Sequence, residues 1–100
     1  MKKKVPTFDQ AFLDQVAAEQ NGRCGICNEP IDFSIPRGRK GGHVVDHDHE
    51  TWLVRGLLCL RCNLLDAWGN RSLKVAAYLA DPPALRVGER KYHGRPPITI

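Results

Sequence analysis

The chain has 100 residues, a formal net charge of +4, four cysteines and 42% hydrophobic residues. A chain of this length makes one domain with a modest core, for which a metal staple or oligomerisation is the usual supplement. No apolar run approaches the length of a membrane span, and Met1-Lys2-Lys3-Lys4 leads into Val5-Pro6 rather than a signal-peptide core, so the expected setting is cytoplasmic, where thiols stay reduced.

In chain order, residues 1–6 are expected to be disordered. Thr7 followed by Gln10 fits a capping box for a helix over residues 8–19, with Phe8, Phe12, Leu13, Val16 and Ala17 as its core stripe and Asn21-Gly22 as its left-handed stop. Cys24-Gly25-Ile26-Cys27 and Cys59-Leu60-Arg61-Cys62 each form a Cys-x₂-Cys turn, which aims two thiolates at one ion; together they make a tetrahedral Zn²⁺ site. The long interval between the pairs exceeds that of small zinc ribbons and is what an inserted hairpin would require. A disulfide pairing needs an oxidising compartment, and a thioredoxin-like site needs one pair inside a βαβ pattern, so structural zinc is the favoured reading.

Residues 28–42 contain Pro30, Pro36 and three glycines, and read as a loop anchored by Phe33 and Ile35. β-Type runs at 42–47 and 52–55 flank Asp48-His49-Glu50-Thr51 as a hairpin, with Asp48 in the turn. Residues 58–68 carry apolar side chains at 60, 64, 65 and 68 and read as a short helix. Packed across the hairpin, that helix would bring Asn63 towards Asp46 and His47. A last helix over 72–80 is expected to bury Leu73, Ala76, Ala77 and Leu79 and to stop at Asp81-Pro82-Pro83. Residues 82–100 form a basic, Pro-containing tail that can wrap the domain, meet a partner chain or follow DNA. The whole is a single domain with its core over 7–81.

A carboxylate (Asp46) and an amide oxygen (Asn63) are hard ligands suited to Mg²⁺ or Mn²⁺, and a neutral imidazole (His47) can take a proton from water. Strand alternation puts Asp46 and His47 on opposite faces, so they share a site only if the strand twists or bulges there. For Asp46 the bland alternative is a strand-end cap, and for Asn63 a helix-end hydrogen bond. Basic clusters at Lys2-Lys3-Lys4, at Arg37, Arg39 and Lys40, and at Arg86, Arg90, Lys91 and Arg95 are either phosphate contacts or solvated surface. Arg55 is a candidate phosphate grip, with a surface pair to Glu50 as the alternative. No pattern supports His43 or His93.

Cys-Gly-Ile-Cys, then Val-Asp-His-Asp-His, then Val-Arg-Gly-Leu-Leu-Cys-Leu-Arg-Cys-Asn resembles the recombination endonuclease VII family of ββα-metal (His-Me finger, HNH-like) nucleases, over roughly residues 16–66. The resemblance implies a small α+β fold with a hairpin-helix core and a four-cysteine structural zinc site. It implies Asp46 and Asn63 as ligands of a catalytic Mg²⁺ or Mn²⁺, His47 as general base and His49 supporting the phosphate or leaving group. Asp66 stands where the family has Glu, which implies an indirect role. The implied activity is nicking of duplex or branched DNA by a monomer or homodimer. The contrasting reading is a four-cysteine zinc module that binds nucleic acid without cutting it, which would have no need for Asp46, His47 and Asn63 together.

Overall fold

The computed structural model describes residues 5–67 and 72–92, and of residues 65–67 the backbone alone. The expectations placed on residues 1–4, on Trp68, on Arg95 and His93, and on the side chain of Asp66 lie outside the described residues. The fold is small α+β: α1 (Gln10–Glu19), β1 (His43–His47), β2 (Val54–Cys59), α2 (Leu60–Ala67), α3 (Leu73–Ala80) and α4 (Pro83–Val87). Among the described residues no helix is long and apolar enough to cross a membrane.

α1 is capped by Asp9, whose carboxylate accepts the Phe12 N–H at 2.8 Å, and not by Thr7 as expected. Thr7 lies two residues ahead of that cap, in a segment that pairs with Lys91, with Phe8 N donating to Lys91 O at 3.0 Å. The same pairing ties down Pro6, whose carbonyl accepts from Lys91 N at 2.8 Å, so the expected disorder does not reach it. The helix stops as anticipated, with Asn21 and Gly22 at φ 55° and 69°.

β1 and β2 pair antiparallel, His43 with Cys59 through Asp46 with Gly56; the register then slips and His47 faces Val54, leaving Arg55 as the extra residue of a bulge. Asp48 closes the turn as expected, its Oδ1 accepting the N–H groups of Glu50 (2.7 Å) and Thr51 (3.1 Å). β2 departs from expectation at its far end. It runs through Gly56 to Cys59, and α2 therefore begins at Leu60 rather than residue 58. Gly56 is no strand break: a Cβ there would lie 2.9 Å from the Tyr78 hydroxyl and 3.0 Å from Gln20 Oε1, so the bare backbone is what lets these groups approach.

Alternation along the hairpin gives each face its own core. Val45, Val54 and Leu57 pack with Phe12, Leu13 and Val16 of α1 and Ala84 of α4, while Leu58 packs with Cys24, Cys62 and Tyr78. The outer edge of β2 is covered. Gln20 Nε2 donates to Leu57 O (2.9 Å), Gln20 Oε1 accepts Leu57 N–H (2.8 Å), and Gly25 N also reaches Leu57 O (3.0 Å).

The C-terminal third needs two corrections. α3 buries Val75 and Tyr78, whereas Leu73 is 89% exposed and Leu79, Ala76 and Ala77 also face outwards. On that face the Tyr78 ring packs with Cys24, Leu58 and Cys62, and its hydroxyl bonds Asp46 of the hairpin. Residues 83–87 form a short helix, with Pro82 as its cap, Pro83 at its first position and Ala84 fully buried. The described part of the tail thus wraps the domain against α1 and β2.

Candidate metal centre and active site

The sulfurs of Cys24, Cys27, Cys59 and Cys62 lie within 4.8 Å of one another, and none is in a disulfide. Among the described residues they are the one group of three or more Cys, His, Asp or Glu side chains whose ligand atoms converge in this way. Cys27 and Cys59 sulfurs are 3.9 Å apart. A tetrahedron with Zn–S bonds of about 2.3 Å has S–S edges of about 3.8 Å, so the four sulfurs fit a zinc ion. Backbone N–H groups support them: Ile26 N and Cys59 N point at Cys24 Sγ (3.5 and 3.4 Å), and Cys62 N at Cys59 Sγ (3.5 Å). Burial raises the Cys59 and Cys62 thiols. Burial acts on Cys24 too, but N–H donors from Cys59, Ile26 and Cys27 outweigh it and leave that thiol lowered. A group of sulfurs this close ionises together only around a cation.

Asp46 sits at the end of the regular ladder, 4% exposed. Arg55, the bulged residue, grips it twice: Nε donates to Oδ2 (2.8 Å) and Nη2 to Oδ1 (3.0 Å). The Tyr78 hydroxyl donates to Oδ2 at 2.8 Å. Arg55 thus pairs with Asp46 rather than with Glu50. A carboxylate offers about four acceptor positions, so the three hydrogen bonds made among the described residues leave one, on Oδ1, for a further ligand.

His47 lies beyond the register slip in an array of near-parallel rings. Its centroid is 4.1 Å from Tyr92, 5.0 Å from His49 and 5.3 Å from Trp52, with interplanar angles of 4°, 3° and 18°. Burial holds its pKa below the ordinary imidazole range; the charge of His49 adds to this and that of Asp46 opposes it. The shift favours the neutral ring, whose Nε2 is buried and, among the described residues, without a hydrogen-bond partner. His49 is exposed.

Asn63 is half-buried in the first turn of α2, which packs against both strands. Among the described residues no hydrogen bond joins it to Asp46, whose partners are Arg55 and Tyr78. Arg37, Arg39 and Lys40 are exposed on the loop leading into β1, the Arg37 guanidinium 5.6 Å from the Phe8 ring centroid. Of the loop's expected anchors, Ile35 is half-buried, while Phe33 is 48% exposed and meets His43 edge-on. Two tail arginines are engaged within the protein, Arg86 with Glu19 and Asp81, and Arg90 over Phe12.

Sequence reasoning missed Tyr78 and Tyr92. Neither carries a motif, and each reaches the site from an element distant in sequence. The one available signal for Tyr78 was indirect: a glycine between apolar strand residues, Gly56, marks a place where another group comes close.

No solved structure matches the chain. The Gene 59 protein of Mycobacterium phage L5 is 40% identical over 82 residues, covering 76% of this chain and 46% of the relative. The Gene 59 protein of Mycobacterium phage D29 is 40% identical over 77 residues, covering 71% and 43%. The chain thus spans less than half the length of these curated relatives. The family described as recombination endonuclease VII matches residues 2–81, the four clustered cysteines, the hairpin and α2 included, and the chain belongs to that family.

Proposed function

We propose that this chain is a metal-dependent DNA endonuclease of the ββα-metal type, with β1, β2 and α2 as its finger, nicking duplex or branched DNA. The observation that carries the reading is the adjacency, across a strand bulge, of a buried carboxylate with one acceptor position left and a ring-packed imidazole held neutral. Asp46 Oδ1 and the Asn63 amide oxygen are the hard donors that would hold Mg²⁺ or Mn²⁺. The bound ion would offset charge developing on the scissile phosphate and the leaving 3′ oxygen.

The protein's own part follows from its residues. Neutral His47 accepts the proton of the attacking water, and its stacking on Tyr92 fixes the ring plane in which that transfer occurs. Exposed His49 supports the phosphate or leaving group, and Asp66, three residues beyond Asn63 on α2, assists from the same helical face. Arg37, Arg39 and Lys40 hold the DNA backbone, and Arg55 adds positive charge next to the cleaved phosphate. Zinc on the four cysteines is structural. Residues 7–81 are the core of one nuclease domain, working in the cytoplasm of a phage-infected host cell. Coordinated nicking of a junction would require two such sites, hence a homodimer.

Supercoiled plasmid, linear duplex, single strand and four-way junction, incubated side by side with and without Mg²⁺, test the reading. Metal-dependent nicking of at least one substrate is expected. Binding without cutting under every condition would leave the four-cysteine nucleic-acid-binding module in its place.

A further inference from the structure

Tyr78 joins the two metal-binding regions. Its ring passes between Gly25, the second residue of the first Cys-x₂-Cys turn, and Gly56, the cross-strand partner of Asp46. A Cβ on Gly25 would lie 2.7 Å from the ring, and one on Gly56 would lie 2.9 Å from the hydroxyl. Two glycines on separate elements thus open one slot. The ring is 4% exposed, packs with Cys24, Leu58 and Cys62, and delivers its hydroxyl to Asp46 Oδ2.

From this geometry we infer that Tyr78 is a positioning residue: it holds the Asp46 carboxylate so that the remaining acceptor position on Oδ1 is presented to the catalytic metal. The inference rests on the nuclease reading above. Arg55 alone does not fix the carboxylate in this way. A guanidinium fork follows a carboxylate through small rotations, and its two bonds treat both oxygens alike. The Tyr78 hydroxyl distinguishes them, because it completes Oδ2 and leaves Oδ1 one bond short. Packed against the cysteine cluster, the ring also passes the rigidity of the zinc site on to Asp46, which is well separated from both knuckles in sequence.

Tyr78→Phe is the test, since Phe keeps the ring in the slot and removes the hydroxyl alone. Zinc content, duplex affinity, Mn²⁺ binding followed by electron paramagnetic resonance, and the Mn²⁺ concentration for half-maximal plasmid nicking are measured for wild type, Tyr78→Phe and Val75→Ala. Val75 is equally buried on α3 and is not among the partners of Asp46, so it reports any effect of merely loosening the helix. Tyr78→Phe is expected to keep zinc and DNA affinity, to need about tenfold more Mn²⁺ in both metal readouts, and to reach a near wild-type rate at saturation. Val75→Ala should leave the Mn²⁺ midpoints in place. Unchanged midpoints in Tyr78→Phe, equal shifts in both variants, or loss of zinc from Tyr78→Phe would each overturn the inference. An Asp46→Asn variant that binds Mn²⁺ and nicks like wild type would instead remove Asp46 as the metal ligand, and a wild type that nicks no DNA in Mg²⁺ or Mn²⁺ would remove the nuclease reading on which the inference rests.

Discussion

Gln20→Met removes the amide that closes the outer edge of β2 while keeping the length of the side chain. In the wild type, Gln20 is 9% exposed and makes three hydrogen bonds: Nε2 to Leu57 O (2.9 Å), Nε2 to Arg23 O (2.7 Å), and Leu57 N to Oε1 (2.8 Å). The losses are unequal. Leu57 O keeps Gly25 N at 3.0 Å, whereas Leu57 N–H, on a residue 1% exposed, loses its acceptor and has no route to water. Leaving one buried donor unsatisfied costs about 1–3 kcal/mol, and the net loss of the other bonds brings the expected total to about 2–3 kcal/mol. For a domain of this size that corresponds to a fall in Tm of about 10–20 °C. Thermal melts of zinc-loaded wild type and variant by far-UV circular dichroism measure it. A variant melting within a couple of degrees of wild type would refute the assignment of Gln20 as the closure of that edge.

Cys62→Ser should leave the chain unfolded, because structural zinc supplies about 10–16 kcal/mol of apparent binding free energy and a core this small supplies only a few; a Cys62→Ser protein melting like wild type, or active protein free of zinc, would contradict this. His43 is 7% exposed and, like His47, is held below the ordinary imidazole range, first by burial and then by the charge of Arg37. Acid therefore protonates these rings in the unfolded chain before the folded one, so stability should fall as pH drops from about 7 through the ordinary histidine value near 6.5. His43→Phe should melt with a shallower dependence over that window, and an unchanged slope would count against it.

The parts legible in the sequence are those whose chemistry fixes their neighbours. Cys-x₂-Cys specifies a shared ion whatever lies between the pairs, and the four sulfurs do converge. Asp48 ahead of two backbone N–H groups specifies its own turn. Side-chain alternation required an irregularity if Asp46 and His47 were to work together, and the register slips between them. The parts that were not legible depend on long-range packing. Gly56 looks like a strand terminator until Tyr78, Gln20 and Pro83 are seen to crowd it. Local periodicity favoured Leu73 and Leu79 for the buried face of α3, whereas Val75 and Tyr78 are buried, the Tyr78 ring against Cys24, Leu58 and Cys62 and its hydroxyl on Asp46. Tyr92 reaches His47 because residues 90–92 run back along the hairpin, Val54 N bonding Arg90 O and Tyr92 N bonding Trp52 O at 2.8 Å each, a path that no local pattern encodes.

The nuclease account stands or falls on Asp46 holding a divalent ion and His47 taking the proton of the attacking water. Plasmid nicking by wild type, Asp46→Asn and His47→Ala in Mg²⁺, and by wild type in EDTA, measured beside zinc content and duplex affinity, tests it most directly. Asp46→Asn is expected to be zinc-loaded, able to bind DNA and unable to cut, and His47→Ala to bind DNA and cut about 10²–10⁴-fold more slowly. EDTA should stop the wild type quickly without stripping zinc, with activity returning on addition of Mg²⁺ or Mn²⁺ without refolding. Undiminished cutting by Asp46→Asn, or by wild type in excess EDTA, would contradict the account.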